Sequence, residues 1–205
     1  MTSNKVKDYE VEYDLAQHVQ AAINIAARDM TLTGFGENGT VDFVFKYAAV
    51  HQQGDNFTLD IGWDRTSGDE DVTAQDLEET VLPKFDDLEI RLNERDLDDY
   101  DYMAEQTADL VIGGIELGLE DVIQEICDFI EDTASGISIS GAGDSGNTEL
   151  DYEYAEVELK PDGKFYATIG FNRVEGKFIS TDEVEEYVAD EFRDIRIEAQ
   201  ASIRV

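Results

Sequence analysis

The sequence predicts an α+β fold built from two tandem copies of one unit, and three observations carry that expectation. A nine-residue stretch occurs twice, as Phe57-Thr-Leu-Asp-Ile-Gly-Trp-Asp-Arg65 and as Phe165-Tyr-Ala-Thr-Ile-Gly-Phe-Asn-Arg173, at an offset of 165 − 57 = 108. The likeness resumes after a one-residue deletion, with Leu77–Ile90 over Val184–Ile197 at 184 − 77 = 107. Paired similarity of this kind is the mark of a duplicated structural unit. Runs of period-two strands also follow one another without a helix between them, which implies antiparallel pairing. The helical stripes are narrow, as expected for helices packed on one face of a sheet.

The elements follow in order. Val11 and Tyr13 end a strand that begins near Val6. Asp14 caps a helix whose stripe is Leu15, Val19, Ala22, Ile23, Ala26 and Met30. Thr31 to Phe35 is a short strand, closed by the turn Gly34 to Gly39. Val41, Phe43, Phe45 and Tyr47 alternate, Gln53 to Asn56 turns the chain, and Phe57, Leu59, Ile61 and Trp63 alternate again. Thr73 with Asp76 makes a capping box for a helix buried through Leu77, Val81 and Phe85, with Pro83 inside it as a source of a kink or an early end. Leu88, Ile90 and Leu92 face one way on a strand.

The second pass has the same order. Ala104 to Asp132 reads as the longest helix, interrupted by Gly113, Gly114 and Gly118. Ile137 and Ile139 begin a strand, and Leu150, Tyr152 and Tyr154 alternate before a switch of register that predicts a bulge near Ala155. Pro161-Asp-Gly163 turns the chain into Phe165, Ala167, Ile169 and Phe171. Ser180 with Glu183 is a second capping box, ahead of Val184, Val188 and Phe192. Ile195 to Ile203 closes with strict alternation. The expected units are residues 1–99 and 100–205, split near 97 to 103, related by a pseudo-two-fold and sharing an interface. Each runs helix, strand, strand, strand, helix, strand. That order is similar to the order in tail-completion proteins of tailed viruses, with no sequence motif in common.

Composition sets the environment. The 205 residues carry 49 Asp and Glu against 15 Lys and Arg, a formal charge of −34, yet 41% are apolar. Acids interleaved with regularly spaced Val, Ile, Phe and Tyr imply a folded chain with an acidic surface rather than a disordered one. Such a surface repels itself in dilute buffer, and molar salt, with a Debye length of about 3 Å, screens it. The expected setting is therefore halophilic: a high-salt (haloarchaeal) cytoplasm, or a virion assembled inside one. The competing explanation is an acidic protein that imitates nucleic acid. With no basic cluster, direct binding of nucleic-acid phosphates is excluded. The single Cys127 excludes an internal disulfide and a Cys-based zinc site. The opening residues lack an apolar signal core, and the apolar run Leu110 to Leu119 is too short to span a bilayer, so no membrane role is expected.

Motifs that suggest chemistry have plainer readings. Gly34-x-Gly36-x-x-Gly39 matches the dinucleotide fingerprint, but a strand follows it where a helix N-terminus is required. Gly143-Asp-Ser-Gly146 looks like a protease nucleophile segment, yet the two histidines, His18 and His51, both lie in the first unit. Asp96 to Asp101 and the trio Asp144, Asn147 and Glu149 are weak cation candidates without calcium-loop spacing. No catalytic residue, cofactor site or metal site is assigned, and no cofactor is expected.

The most specific feature is the repeated end Gly-aromatic-Asp/Asn-Arg. It makes Trp63, Arg65, Phe171 and Arg173 candidate structural or contact residues, with each Arg paired to a carboxylate or turned to a ligand or subunit. The apolar excess on the expected long helix adds Ile115 and Val122, at a contact between units or between chains. The functional expectation is a non-enzymatic structural or assembly protein, oligomeric or engaged in protein–protein interaction, in the particular form of a head-tail or tail component of a haloarchaeal virus. The alternatives are an acidic nucleic-acid mimic acting as an inhibitor, and a carboxylate-based or metal-dependent enzyme.

Overall fold

Ten strands and four helices are found in the computed structural model among its described residues, which are 3–94, 107–144, 146–193 and 197–204. The order is β1 (Ser3–Val11), α1 (Leu15–Ala27), β2 (Thr31–Phe35), β3 (Val41–Gln53), β4 (Asn56–Ser67), α2 (Ala74–Phe85) and β5 (Glu89–Glu94). It continues β6 (Leu110–Leu117), α3 (Glu120–Ser135), β7 (Ser138–Ala142), β8 (Thr148–Leu159), β9 (Phe165–Glu175), α4 (Thr181–Phe192) and β10 (Ile197–Ser202). All strand pairs are antiparallel, so the mixed α+β class is as the adjacent strand runs predict.

The chain forms two compact units, each discontinuous in sequence. Unit 1 is Met1–Asp14 with Glu120–Arg196, and unit 2 is Leu15–Leu119 with Ile197–Val205. In unit 1 the sheet order is β1-β9-β8-β7, with α3 packed on β8 and α4 on β1. Its interior holds Val6, Phe165, Ile169 and Phe171 from the sheet, with Ile126, Ile130, Val184 and Val188 from the helices, all fully buried. In unit 2 the order is β2-β3-β4-β6, and β5 pairs with β10 as a separate ladder. Helix α1 packs on β3 and β10, and α2 packs on β6. Leu15, Ile23, Leu59, Ile61, Trp63 and Leu77 fill that core.

Local signals place most ends. Both capping boxes form: Thr73 and Asp76 exchange hydrogen bonds at α2, and Ser180 and Glu183 do so at α4. Pro83 lies inside α2, which ends two residues later at Phe85. Pro83 has no N–H to donate to the carbonyl of Glu79, and the last turn is closed by Asp86 N donating to Leu82 O at 2.9 Å. The bulge of β8 falls between Tyr152 and Tyr154, just ahead of the expected Ala155.

The long helix expected over 104 to 132 is not formed. Leu110–Leu117 is strand β6, and α3 begins only at Glu120. Gly113 and Gly114 weaken a helix by about 1 kcal/mol each relative to Ala, and Gly114 adopts φ 74°. The open edge of β4 offers the same residues a full ladder, with Ile112 opposite Ile61 and Ile115 opposite Leu59. Glu120 and Asp121 then open α3 where the helix dipole favours them. What remains on α3 is one stripe, Val122, Ile126, Ile130 and Ala134, so the apolar excess read for a single helix is divided between two elements. Each half of the chain consequently runs strand, helix, strand, strand, strand, helix, strand, the strand read near Val6 having an unexpected counterpart in β6.

That opening strand pairs with the other half of the chain. β1 belongs to unit 1, and Glu12–Asp14 leads from it into α1 of unit 2. β6 belongs to unit 2, and Gly118-Leu119 leads from it into α3 of unit 1. The expected split at 97 to 103 and the acids Asp96 to Asp101 lie outside the described residues.

Candidate functional site

The repeated stretches form the central strands β4 and β9, and the ladders around them agree residue for residue. In unit 2, β3 sets Phe43 opposite Arg65, Phe45 opposite Trp63 and Tyr47 opposite Gly62, with a bulge between Phe45 and Tyr47. In unit 1, β8 sets Leu150 opposite Arg173, Tyr152 opposite Phe171 and Tyr154 opposite Gly170, with a bulge between Tyr152 and Tyr154. Trp63 and Phe171 are both fully buried. Trp63 meets Phe45 edge-on at 6.0 Å between ring centres, and among the described residues its buried indole N–H has no hydrogen-bond partner.

The glycines of the motif have a steric reason. The Tyr47 ring lies over Gly62 and the Tyr154 ring over Gly170, so closely that a Cβ at either glycine would overlap ring carbons. Sequence reasoning did not single out Tyr47 or Tyr154. The signal was present: glycine inside a strand marks close approach, and the two tyrosines stand 154 − 47 = 107 apart.

The six candidate residues are divided between the two units. Trp63, Arg65 and Ile115 lie in unit 2, and Phe171, Arg173 and Val122 in unit 1. Arg65 donates from Nη1 to the main-chain oxygen of Glu70 at 2.9 Å and lies 5.7 Å above the Phe43 ring, so a carbonyl and an aromatic face hold its guanidinium where a carboxylate, a ligand or a subunit was expected. Arg173 is half-buried opposite Leu150. Ile115 is half-buried against Leu59, and Val122 is buried in the first turn of α3.

The glycine-rich turn between β2 and β3 does hold an anion, one supplied by the chain. Gly34, Gly36 and Gly39 take φ of 83°, 82° and 66°. They turn the Asn38 amide toward the Glu70 carboxylate, which accepts from Asn38 N at 3.0 Å, Asn38 Nδ2 at 2.8 Å and Thr40 Oγ1 at 3.0 Å. The Asn38 main-chain bond, first among these, holds Glu70 below the usual carboxylate range. Strand β3 follows the turn, so the helix N-terminus that would receive a pyrophosphate is replaced by a β-hairpin.

His51 is likewise engaged. Its Nε2 lies 3.1 Å from Asp60 Oδ2, while Asp60 Oδ1 accepts from Gly114 N at 2.8 Å and so pins the β6 bulge to β4. Asp144 and Glu149 are both exposed. Among the described residues no three His, Cys, Asp or Glu side chains are grouped as a metal site requires, and no helix is long and apolar enough to cross a membrane.

Carboxylates cover helices and strands alike. Glu120, Asp121, Glu125, Asp128, Glu131 and Asp132 are exposed on α3, and Glu78 and Glu79 on α2. The outer face of β8 carries a row, Glu149, Asp151, Glu153, Glu156 and Glu158, all exposed. Lys5 reaches the row, with Nζ 3.6 Å from Glu156 and 5.6 Å from the centre of the Tyr154 ring. A scan against family models matches none, and searches of curated proteins and of solved structures find no significant match.

Proposed function

We propose that this chain is a non-enzymatic structural or assembly protein of a halophilic (haloarchaeal) system, made by tandem duplication of a unit over residues 1–99 and 100–205, with helices on one face of each sheet. A virion component, such as a head-tail or tail protein, is its particular form, and its place is a salt-rich cytoplasm or the virion itself. The observation that carries the halophilic part is the spread of exposed carboxylates over α2, α3 and β8, in a chain whose 15 Lys and Arg could pair fewer than a third of its 49 acids. A patch evolved to bind one basic partner would gather its charge on one face. Charge spread over helices and a strand of both units suits a solvent of concentrated, hydrated cations. The duplication is supported by the matching ladders around β4 and β9, bulges included.

Assembly is the less constrained part, and mass in solution at molar KCl tests it. A defined oligomer supports the reading, and a strict monomer at working concentration removes it.

The second reading, a nucleic-acid mimic, is favoured by one specific feature, the β8 row. Carboxylates two residues apart on a strand stand about 6.6 Å from one another. A mimic must work where nucleic-acid binding proteins do, so full stability and binding of a basic protein in dilute buffer would favour it over the halophilic reading.

A further inference from the structure

We infer that the chain is a strand-exchanged pair of half-chains joined covalently, in which each half is completed by the first strand of the other, so that a chain cut between the halves stays assembled. The fitting partner for a half is thus a second copy of the repeat, and the inference rests on the duplication reading above. Three ladders carry it.

β1 sits on β9 through Asn4↔Phe171, Val6↔Ile169, Tyr9↔Ala167 and Val11↔Phe165. β6 sits on β4 through Leu110↔Trp63, Ile112↔Ile61, Ile115↔Leu59 and Leu117↔Phe57. The outer strands differ by a constant 110 − 4 = 117 − 11 = 106 and the inner ones by 171 − 63 = 165 − 57 = 108. Even the irregular step coincides: Asp8 has φ 48° and Gly114 φ 74°, again 114 − 8 = 106. The two edges are therefore the same binding surface, and each is filled from the other half of the chain.

The third ladder joins the final strands. Ile197 pairs with Glu94 and Ser202 with Glu89. It too joins the two halves of the chain, one strand from each.

Parted, each half would expose what the exchange now covers. Val6 on β1 is fully buried and Ile112 on β6 is 4% exposed, and the edges of β4 and β9 would present unpaired backbone groups.

The test uses the full chain with a specific protease site placed within residues 95–106, in a Cys127→Ser background. After cutting, confirmed on a denaturing gel, the expected result at molar KCl is one species at the uncut mass, with the buried emission of Trp63 retained. A twofold fall in mass overturns the inference. Should the site resist the protease, co-production of the two pieces as separate chains gives the same two outcomes. Register is read by oxidising Glu10→Cys with Tyr166→Cys, and separately Thr58→Cys with Glu116→Cys, both facing pairs across the exchange. Each pair should link the two pieces covalently. Linkage by only one pair would count against equivalent halves, and so against the duplication. Linkage by both, with pieces that separate when reduced, would overturn this inference and leave the duplication standing.

Discussion

Tyr154 lays its ring directly over Gly170, in the space a side chain at that position would need, and Tyr47 does the same over Gly62. Each pair sits beside the bulge that re-aims its tyrosine, so the glycine, the bulge and the ring form one device present in both units. Replacing Gly170 by Ala should destabilise unit 1 by about 1–3 kcal/mol, the usual cost of forcing atoms into a packed site. Tyr154→Ala in the same chain should recover part of that loss, because it removes the obstructing ring. Denaturant midpoints at molar KCl for the two single variants and the double variant decide it, and strict additivity would contradict the steric account.

Gly114 gives a contrasting test. A Cβ there would meet nothing within 4 Å, yet its φ is 74°. The penalty for Gly114→Ala should come from backbone conformation alone, about 1–2 kcal/mol. Hydrogen exchange should show the loss first at the β6 bulge, where Gly114 N donates to Asp60.

Folding should depend on salt. With a formal charge of −34, self-repulsion should unfold the chain well below molar KCl, and added salt should restore it by screening. Circular dichroism across a KCl series measures this, and a flat response would remove the halophilic reading.

Three carboxylates should weaken the fold as they protonate. Main-chain donation from Asn38 lowers Glu70, the Thr73 hydroxyl lowers Asp76, and main-chain donation from Ser180 lowers Glu183. A folded-state pKa held below the unfolded value, about 4.3 for Glu and 3.9 for Asp, contributes stability that is complete above that value. The contribution is lost as pH falls through the lowered one. NMR titration at molar salt should place all three midpoints below those references. Glu70→Gln should speed exchange of the Asn38 amide while leaving the β8–β9 ladder protected.

Loss of a cap is the last expectation. Ser180→Ala leaves the first-turn amide of Glu183 without its acceptor and should cost about 1 kcal/mol. Thermal melts of unit 1 reporters, compared with Trp63 emission from unit 2, would show where the loss falls.

The sequence by itself determined what depends on near neighbours. Alternation marked β3, β4, β8 and β9 because side chains on a strand change face at every residue. Thr73 with Asp76 and Ser180 with Glu183 marked two helix starts because a capping box spans only three residues. The acidic exterior followed from composition. The partner of Arg65 did not, since the Glu70 carbonyl is presented by the way the chain turns after β4. Nor did the cradle around Glu70, whose donor Asn38 lies 32 residues away. Residues 110–117 were misread because their apolar run suits a buried helix or a buried strand equally. The choice fell to the edge of β4, with Leu59 meeting Ile115 across 115 − 59 = 56 residues of chain. The exchange of β1 and β6 is the deepest case. The edges of β4 and β9 present the same register, so alternation alone does not say which edge β1 or β6 fills, and closure of the whole chain decides it.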